Sequence, residues 1–104
     1  MEKIVVDFTS ELREIIKYSP VDADLNHIDV SRITDMRYVF KGTKFNGDIS
    51  KWDVSNVTDM EKMFYYSSFE GNLDKWNTKK VKNMNNMFYK SPLEGNEPKW
   101  FEED

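Results

Sequence analysis

From Val21 onward, apolar residues return at a fixed spacing. Trp52, Trp76 and Trp100 lie 24 residues apart, and so do Gly47, Gly71 and Gly95. Laying 45–68 over 69–92 gives ten identities in 24 columns, among them Phe45/Phe69, Trp52/Trp76, Met60/Met84, Met63/Met87 and Phe64/Phe88. Residues 21–44 fall in the same frame, with Asp24, Asp29, Val30, Asp35, Met36 and Phe40 matching Asp48, Asp53, Val54, Asp59, Met60 and Phe64. A constant period without insertions describes units that each make one supersecondary turn and bury their apolar side on their neighbours. The expected architecture is a short α/β solenoid of about three and a half 24-residue coils, 21–44, 45–68, 69–92 and a partial 93–104.

Within a coil, the β-branched stretch Val54–Thr58 predicts a brief strand, parallel to 30–34 and 78–82. Thr58-Asp59-Met60-Glu61 has capping-box spacing, and Met60, Met63 and Phe64 follow at i, i+3, i+4, which predicts a short helical turn over 59–66. Asp35, Asp59 and Asn83 share a column and serve as its caps. Gly47 supplies a positive φ for the returning corner. The buried columns are Val21/Phe45/Phe69/Leu93, Leu25/Ile49/Leu73, Ile28/Trp52/Trp76/Trp100, Ile33/Val57/Val81, Met36/Met60/Met84, Val39/Met63/Met87 and Phe40/Phe64/Phe88. Residues 1–20 read as an N-terminal cap. It comprises a strand within 3–7 and an amphipathic helix that opens on the N-cap residues Thr9-Ser10, faces Leu12, Ile15 and Ile16 inward and stops before Pro20. At the other end Glu97 replaces Ile49 and Leu73, and Pro98 follows, as suits a closing repeat.

Composition narrows the function. The chain has 104 residues, enough for one modest core, and no cysteine, which removes disulfides, thiolate metal sites and thiol nucleophiles. No apolar run approaches the roughly 20 residues of a membrane-spanning helix, and Met1-Glu2-Lys3 opens no hydrophobic signal core, so a cytoplasmic protein is expected. The net charge of −4 is carried by the last stretch, Glu94, Glu97, Glu102, Glu103 and Asp104, which reads as a solvated end. That balance makes nucleic acid an unfavoured partner.

Catalytic groups do not converge in the pattern. The single histidine, His27, shares the outward column of Lys51, Lys75 and Lys99, and neither a nucleophile motif nor a phosphate-cradling glycine loop is present. The paired carboxylates Asp24/Asp48 and Asp29/Asp53 could hold a calcium ion, but Asn72 and Asn77 stand in the third unit, and turn capping is the expected role. No enzyme, cofactor or metal is therefore expected. Two surface features remain. Lys75, Lys79, Lys80 and Lys82 make the third unit locally basic, either to meet an acidic partner or to blunt exposed edges. Tyr38, Tyr65, Tyr66 and Tyr89 gather on neighbouring coils, either as a contact patch or packed against the next coil.

The run Phe45-Asn-Gly-Asp-Ile-Ser-Lys-Trp-Asp-Val-Ser-Asn-Val-Thr-Asp-Met-Glu-Lys-Met-Phe resembles the repeat of the BspA-like, Mycoplasma surface lipoprotein type family of otherwise unknown function. The resemblance extends over 21–100 and implies a leucine-rich-repeat-like fold and, where a role is known, adhesion or protein binding at bacterial surfaces without catalysis. A surface location follows if the chain is a fragment of a longer family member. The expected function is a non-enzymatic protein-interaction module of bacterial or phage origin, recognising another protein through Arg32, Asn56, Lys80 and the tyrosines. The alternatives are a small phage or mobile-element inhibitor of a host defence or nucleic-acid enzyme, and a weak nucleic-acid binder using the third-unit lysines. Self-association through open solenoid ends is a further expectation.

Overall fold

The computed structural model describes residues 3–102, so Glu103 and Asp104 of the acidic end and the opening Met1-Glu2 lie outside the described residues. Among the described residues, regular elements are β1 (Ile4–Val5), α1 (Thr9–Tyr18) and β2 (Ile28–Asp29), followed by a long succession of turns. β1 and β2 pair in parallel, Ile4 with Ile28 and Val5 with Asp29, which is again a separation of 24 residues. Isolated parallel bridges join Asp24 to Asp48, Asp35 to Asp59 and Asp59 to Asn83. Among the described residues no helix is long and apolar enough to cross a membrane.

Helix α1 buries Leu12 and Ile16 and half-buries Ile15, the face its apolar spacing marks out. Its start differs from expectation. The carboxylate of Glu11 accepts the backbone N–H groups of Asp7 and Phe8, each at 3.0 Å, and does the capping. Thr9 instead donates its hydroxyl to the Asp35 carbonyl at 2.6 Å, and Arg13 donates to the Arg37 carbonyl at 2.7 Å, so both tie α1 to residues 35–37. The helix ends before Pro20, with the Ser19 hydroxyl bonded to the Ile15 carbonyl.

Residues 59–66 are not helical. They form three overlapping tight turns, closed by the N–H groups of Met63, Tyr65 and Ser67 on the carbonyls of Met60, Lys62 and Phe64. Lys62 and Tyr66, the third residues of the first and last of these turns, have φ of 53° and 55°, the left-handed conformation that a type II turn needs there. A left-handed residue reverses the chain path, and this frees the alternate N–H groups of Met60, Lys62, Phe64 and Tyr66 to bond the carbonyls of Asn83, Asn85, Met87 and Tyr89 at 2.8–3.0 Å. Met36, Tyr38, Phe40 and Gly42 donate in the same way to Asp59, Glu61, Met63 and Tyr65. The positive φ recurs in two columns, Tyr38/Lys62/Asn86 and Gly42/Tyr66/Lys90.

The strand expected over 54–58 is likewise a turn, closed by Val57 N–H on the Val54 carbonyl at 3.0 Å. Backbone-to-backbone bonding between units begins, in this stretch, one residue later, where Thr58 donates to Thr34 and Lys82 donates to Thr58, both at 2.8 Å. The cause is the preceding Asp53, whose carboxylate accepts the N–H of Ser55 and curls the chain before it can extend.

The apolar columns meet in one core. Phe40 and Phe64 stack at 5.1 Å, Phe64 and Phe88 at 5.5 Å, Phe45 and Phe69 at 6.4 Å, and the tryptophans at 6.4 Å (Trp52, Trp76) and 6.3 Å (Trp76, Trp100). Each indole N–H donates to a carbonyl 27 residues earlier, Leu25, Ile49 and Leu73. One expected core position departs: Val21 is 56% exposed, while Phe45 and Phe69 in its column are 3% and 1% exposed. The helix α1 that precedes Val21 does not extend over it. Gly47 also differs from expectation, because its φ is not positive. A side chain there would collide with the Ala23 carbonyl and the Phe45 ring, so the requirement is close approach.

Candidate functional site

Four of the expected contact residues come together. Tyr65 stacks on Tyr89 at 5.5 Å and meets Tyr66 edge-on at 4.7 Å, and Tyr66 meets Tyr89 edge-on at 5.8 Å. Tyr38 joins through Lys41, whose ammonium lies 5.5 Å from the Tyr38 ring and 5.7 Å from the Tyr65 ring. Lys62 caps Tyr65 at 5.3 Å and Lys90 caps Tyr89 at 5.6 Å, distances at which a cation is attracted to the ring face. The Tyr38 hydroxyl donates to the Glu61 carboxylate at 3.3 Å. Tyr66 and Tyr89 remain 54% and 39% exposed.

The backbone is what makes this patch. Tyr38, Lys62, Tyr66 and Lys90 are all left-handed, a conformation that disfavours residues with a Cβ by about 1–2 kcal/mol each. Gly42 occupies the corresponding place in the first unit, where glycine carries no such penalty. Non-glycine side chains retained on left-handed backbone cluster at functional sites, and here they hold two of the tyrosines and two of the cations. The lysines Lys41 and Lys62 escape the sequence reading, and Lys90 enters it only as one of the five bases of the third unit. Their signal was available in the columns Lys41/Tyr65/Tyr89, Tyr38/Lys62/Asn86 and Gly42/Tyr66/Lys90, which pair cation with aromatic instead of like with like.

The remaining expected residues form a second group. Arg32, Asn56 and Lys80 share a column: Asn56 donates to the Ser31 carbonyl at 2.9 Å, Lys80 donates to the Asn56 side-chain oxygen at 3.2 Å, and Arg32 pairs with Asp7 at 3.0 Å. These contacts occupy polar groups that the sequence reading had left for a partner. Lys75, Lys79 and Lys82 are exposed, and among the described residues none of them has an acidic partner. Lys75 lines a shallow hollow of about 220 Å³ with Ser50, Lys51 and Asn72. His27 is half-buried and not fully outward.

The carboxylate and amide columns are turn caps in all three units. Asp24, Asp48 and Asn72 accept the N–H two residues on at 2.9, 2.9 and 2.8 Å. Asp29, Asp53 and Asn77 do so at 2.9, 3.0 and 3.1 Å, and Asp35, Asp59 and Asn83 at 2.9, 3.0 and 3.0 Å. The column Asp35/Asp59/Asn83 thus accepts one N–H per unit as expected, in a turn and not at a helix. Among the described residues no group of three acidic or histidine side chains is placed to hold a metal ion.

Hydrogen bonding lowers the pKa of several of these carboxyls. The Ser31 hydroxyl and N–H act on Asp29, the Arg37 guanidinium on Asp35, the Ser50 N–H and the Asn26 and Ser50 side chains on Asp48, and the Ser55 hydroxyl and N–H on Asp53. Because the folded state holds them below their ordinary 3.8, the stability they contribute is complete above that value. It drains away as pH falls through the lower folded values. The triple variant Asp29→Asn, Asp48→Asn, Asp53→Asn keeps an acceptor oxygen at each turn, as Asn72 and Asn77 do, and is expected to flatten this acid arm in urea titrations between about pH 5 and 2. An unchanged acid arm would show that these caps are electrostatically idle.

A family model described as a Mycoplasma protein of unknown function, DUF285, matches residues 10–101, which takes in α1 but for its first residue, the stretches 21–44, 45–68 and 69–92, and the tyrosine patch. Neither the curated proteins nor the solved structures yield a match. With the family model covering nearly the whole chain, this protein belongs to DUF285, a Mycoplasma family of unknown function.

Proposed function

We propose that the chain is a non-enzymatic protein-interaction module of the BspA-like type, a short leucine-rich-repeat-like solenoid over 21–104 closed by an N-terminal cap over 1–20. Interunit hydrogen bonds between residues 23–25 apart and tryptophan stacks at a spacing of 24 support the architecture. The reading of function rests on one observation: an exposed ring cluster, Tyr66 and Tyr89 with Tyr65 beneath them, is flanked by lysines, and Tyr66, Lys62 and Lys90 in it stand on left-handed backbone that would favour glycine. Tyrosine contributes large contact area with few torsions to freeze, and stacking against neighbouring rings fixes those torsions before a partner arrives. Lysines over the ring faces add a polar rim that suits a partner carrying carboxylates.

Tyr66→Gly is the discriminating variant, since Gly42 shows the backbone accepts glycine there. It is expected to keep the fold and to weaken capture of a stoichiometric protein partner by about tenfold or more, as does Tyr89→Ala, the scale of an interface hot spot. Lys79→Ala with Lys82→Ala is expected to leave capture unchanged. Capture that survives both tyrosine variants refutes the patch. Salt-sensitive recovery of RNA or DNA that depends on Lys79 and Lys82 replaces this reading with nucleic-acid binding.

A further inference from the structure

A cleft of about 300 Å³ opens between the end of α1 and the start of the second unit, and none of the tyrosines of the patch lines it. Ile16, Val21 and Phe45 give it apolar walls. Its charged residues are Arg13, Lys17 and Lys44, and among the described residues no carboxylate lines it. The helix-end carbonyls of Ile15 and Ile16, which would repel an anion, are already taken by Ser19. Lys44 has no ion-pair partner among the described residues.

Two departures from the 24-residue pattern coincide here. In the column Val21/Phe45/Phe69, stacked rings stand at 45 and 69, and the first unit has only the smaller valine, which leaves the space of a ring unfilled and Val21 exposed. In the column Ser19/Thr43/Ser67/Ser91, the hydroxyls of Ser19 and Ser91 donate to carbonyls and that of Ser67 accepts a backbone N–H. The Thr43 hydroxyl is buried and has no partner among the described residues. A buried donor without an acceptor is uncommon in a folded protein.

We infer that this cleft binds a small carboxylate with an apolar, ring-sized body. The body takes the place of the absent ring beside Val21 and Phe45, and the carboxylate meets Lys44 and Lys17. The volume lies at the lower end of ligand pockets, roughly 300–1,000 Å³, so it holds one ring or a short chain and not a folded partner.

The test titrates the whole chain with 4-phenylbutyrate, and with the uncharged 4-phenylbutanol, followed by amide chemical shifts in NMR. The acid is expected to bind with Kd of about 1 mM or tighter, to shift Val21, Thr43, Lys44 and Phe45, and to bind about tenfold more tightly than the alcohol. Lys17→Glu with Lys44→Glu is expected to remove that advantage. Val21→Phe is expected to fill the cleft and abolish binding while leaving the remaining spectrum and the tyrosine patch intact. No shifts at several times 1 mM acid, equal binding of acid and alcohol, or undiminished binding by Val21→Phe each overturn the inference.

Discussion

Trp76→Ala is expected to lower the thermal midpoint by tens of degrees, and Trp100→Ala to lower it much less. Trp76 is 4% exposed, lies between Trp52 and Trp100 at 6.4 and 6.3 Å with interplanar angles of 9° and 12°, and contacts Phe64 at 6.3 Å. Its indole N–H is bonded to the Ile49 carbonyl at 3.1 Å, which the substitution would leave without that donor. Truncating a buried tryptophan costs about 3–5 kcal/mol, against a total stability of roughly 5–15 kcal/mol for a domain. At about 4–8 °C per kcal/mol, the thermal midpoint drops by tens of degrees. Trp100 is only partly buried and has a tryptophan on one side alone, so less packing is lost. Urea unfolding followed by tyrosine fluorescence or far-UV dichroism measures both. Equal losses would mean that the layers do not support one another.

Gly47→Ala is expected to cost about 3 kcal/mol or more, at the upper end of overpacking penalties. The methyl group would be driven into the Ala23 carbonyl oxygen, which is held in place by the N–H of Asp48 at 3.1 Å, and against the Phe45 ring. A backbone oxygen engaged in an interunit bond cannot turn aside as a side chain can. Gly71→Ala serves as the comparison: its methyl would meet only ring atoms of Phe69, with the nearest at 2.6 Å, and a ring can shift. Gly42→Ala meets nothing within 4 Å and has only its φ of 68° against it, about 1 kcal/mol. The expected order of loss is therefore Gly47, then Gly71, then Gly42. A larger loss at Gly42 than at Gly47 would mean that backbone conformation, not close approach, governs these corners.

The tyrosine patch was half legible. Tyr38, Tyr65, Tyr66 and Tyr89 announced themselves as recurring aromatics just outside the buried phenylalanine column, and the structure joins them through ring and cation contacts. Lys41 and Lys62, and the place of Lys90 against Tyr89, were missed because column reading rewards identity, whereas a cation and a ring one unit apart are complementary and look like mismatches. Lys79 and Lys82 stood out as a local charge excess, yet no hydrogen bond or ring contact of their side chains links them to the patch among the described residues.

By itself the sequence determined which side chains are inside. Phe40, Phe64 and Phe88, the columns Met36/Met60/Met84 and Val39/Met63/Met87, and the central tryptophans Trp52 and Trp76 are buried because an apolar residue repeated at constant spacing has to find the same environment each time. It did not determine the backbone that carries them. Met60, Met63 and Phe64 lie on one side of a helical turn, but they lie on one side of successive tight turns equally well, so their spacing cannot tell the two apart. The choice was made by hydrogen bonds that exist only once a neighbouring unit is present. Left-handed residues at 62 and 66 turn alternate N–H groups toward residues 83–89, a gain no isolated segment can register. The exposure of Val21, the cleft beside it and the close approach at Gly47 were decided in the same way, by what lies in the adjacent unit and not by the local residues.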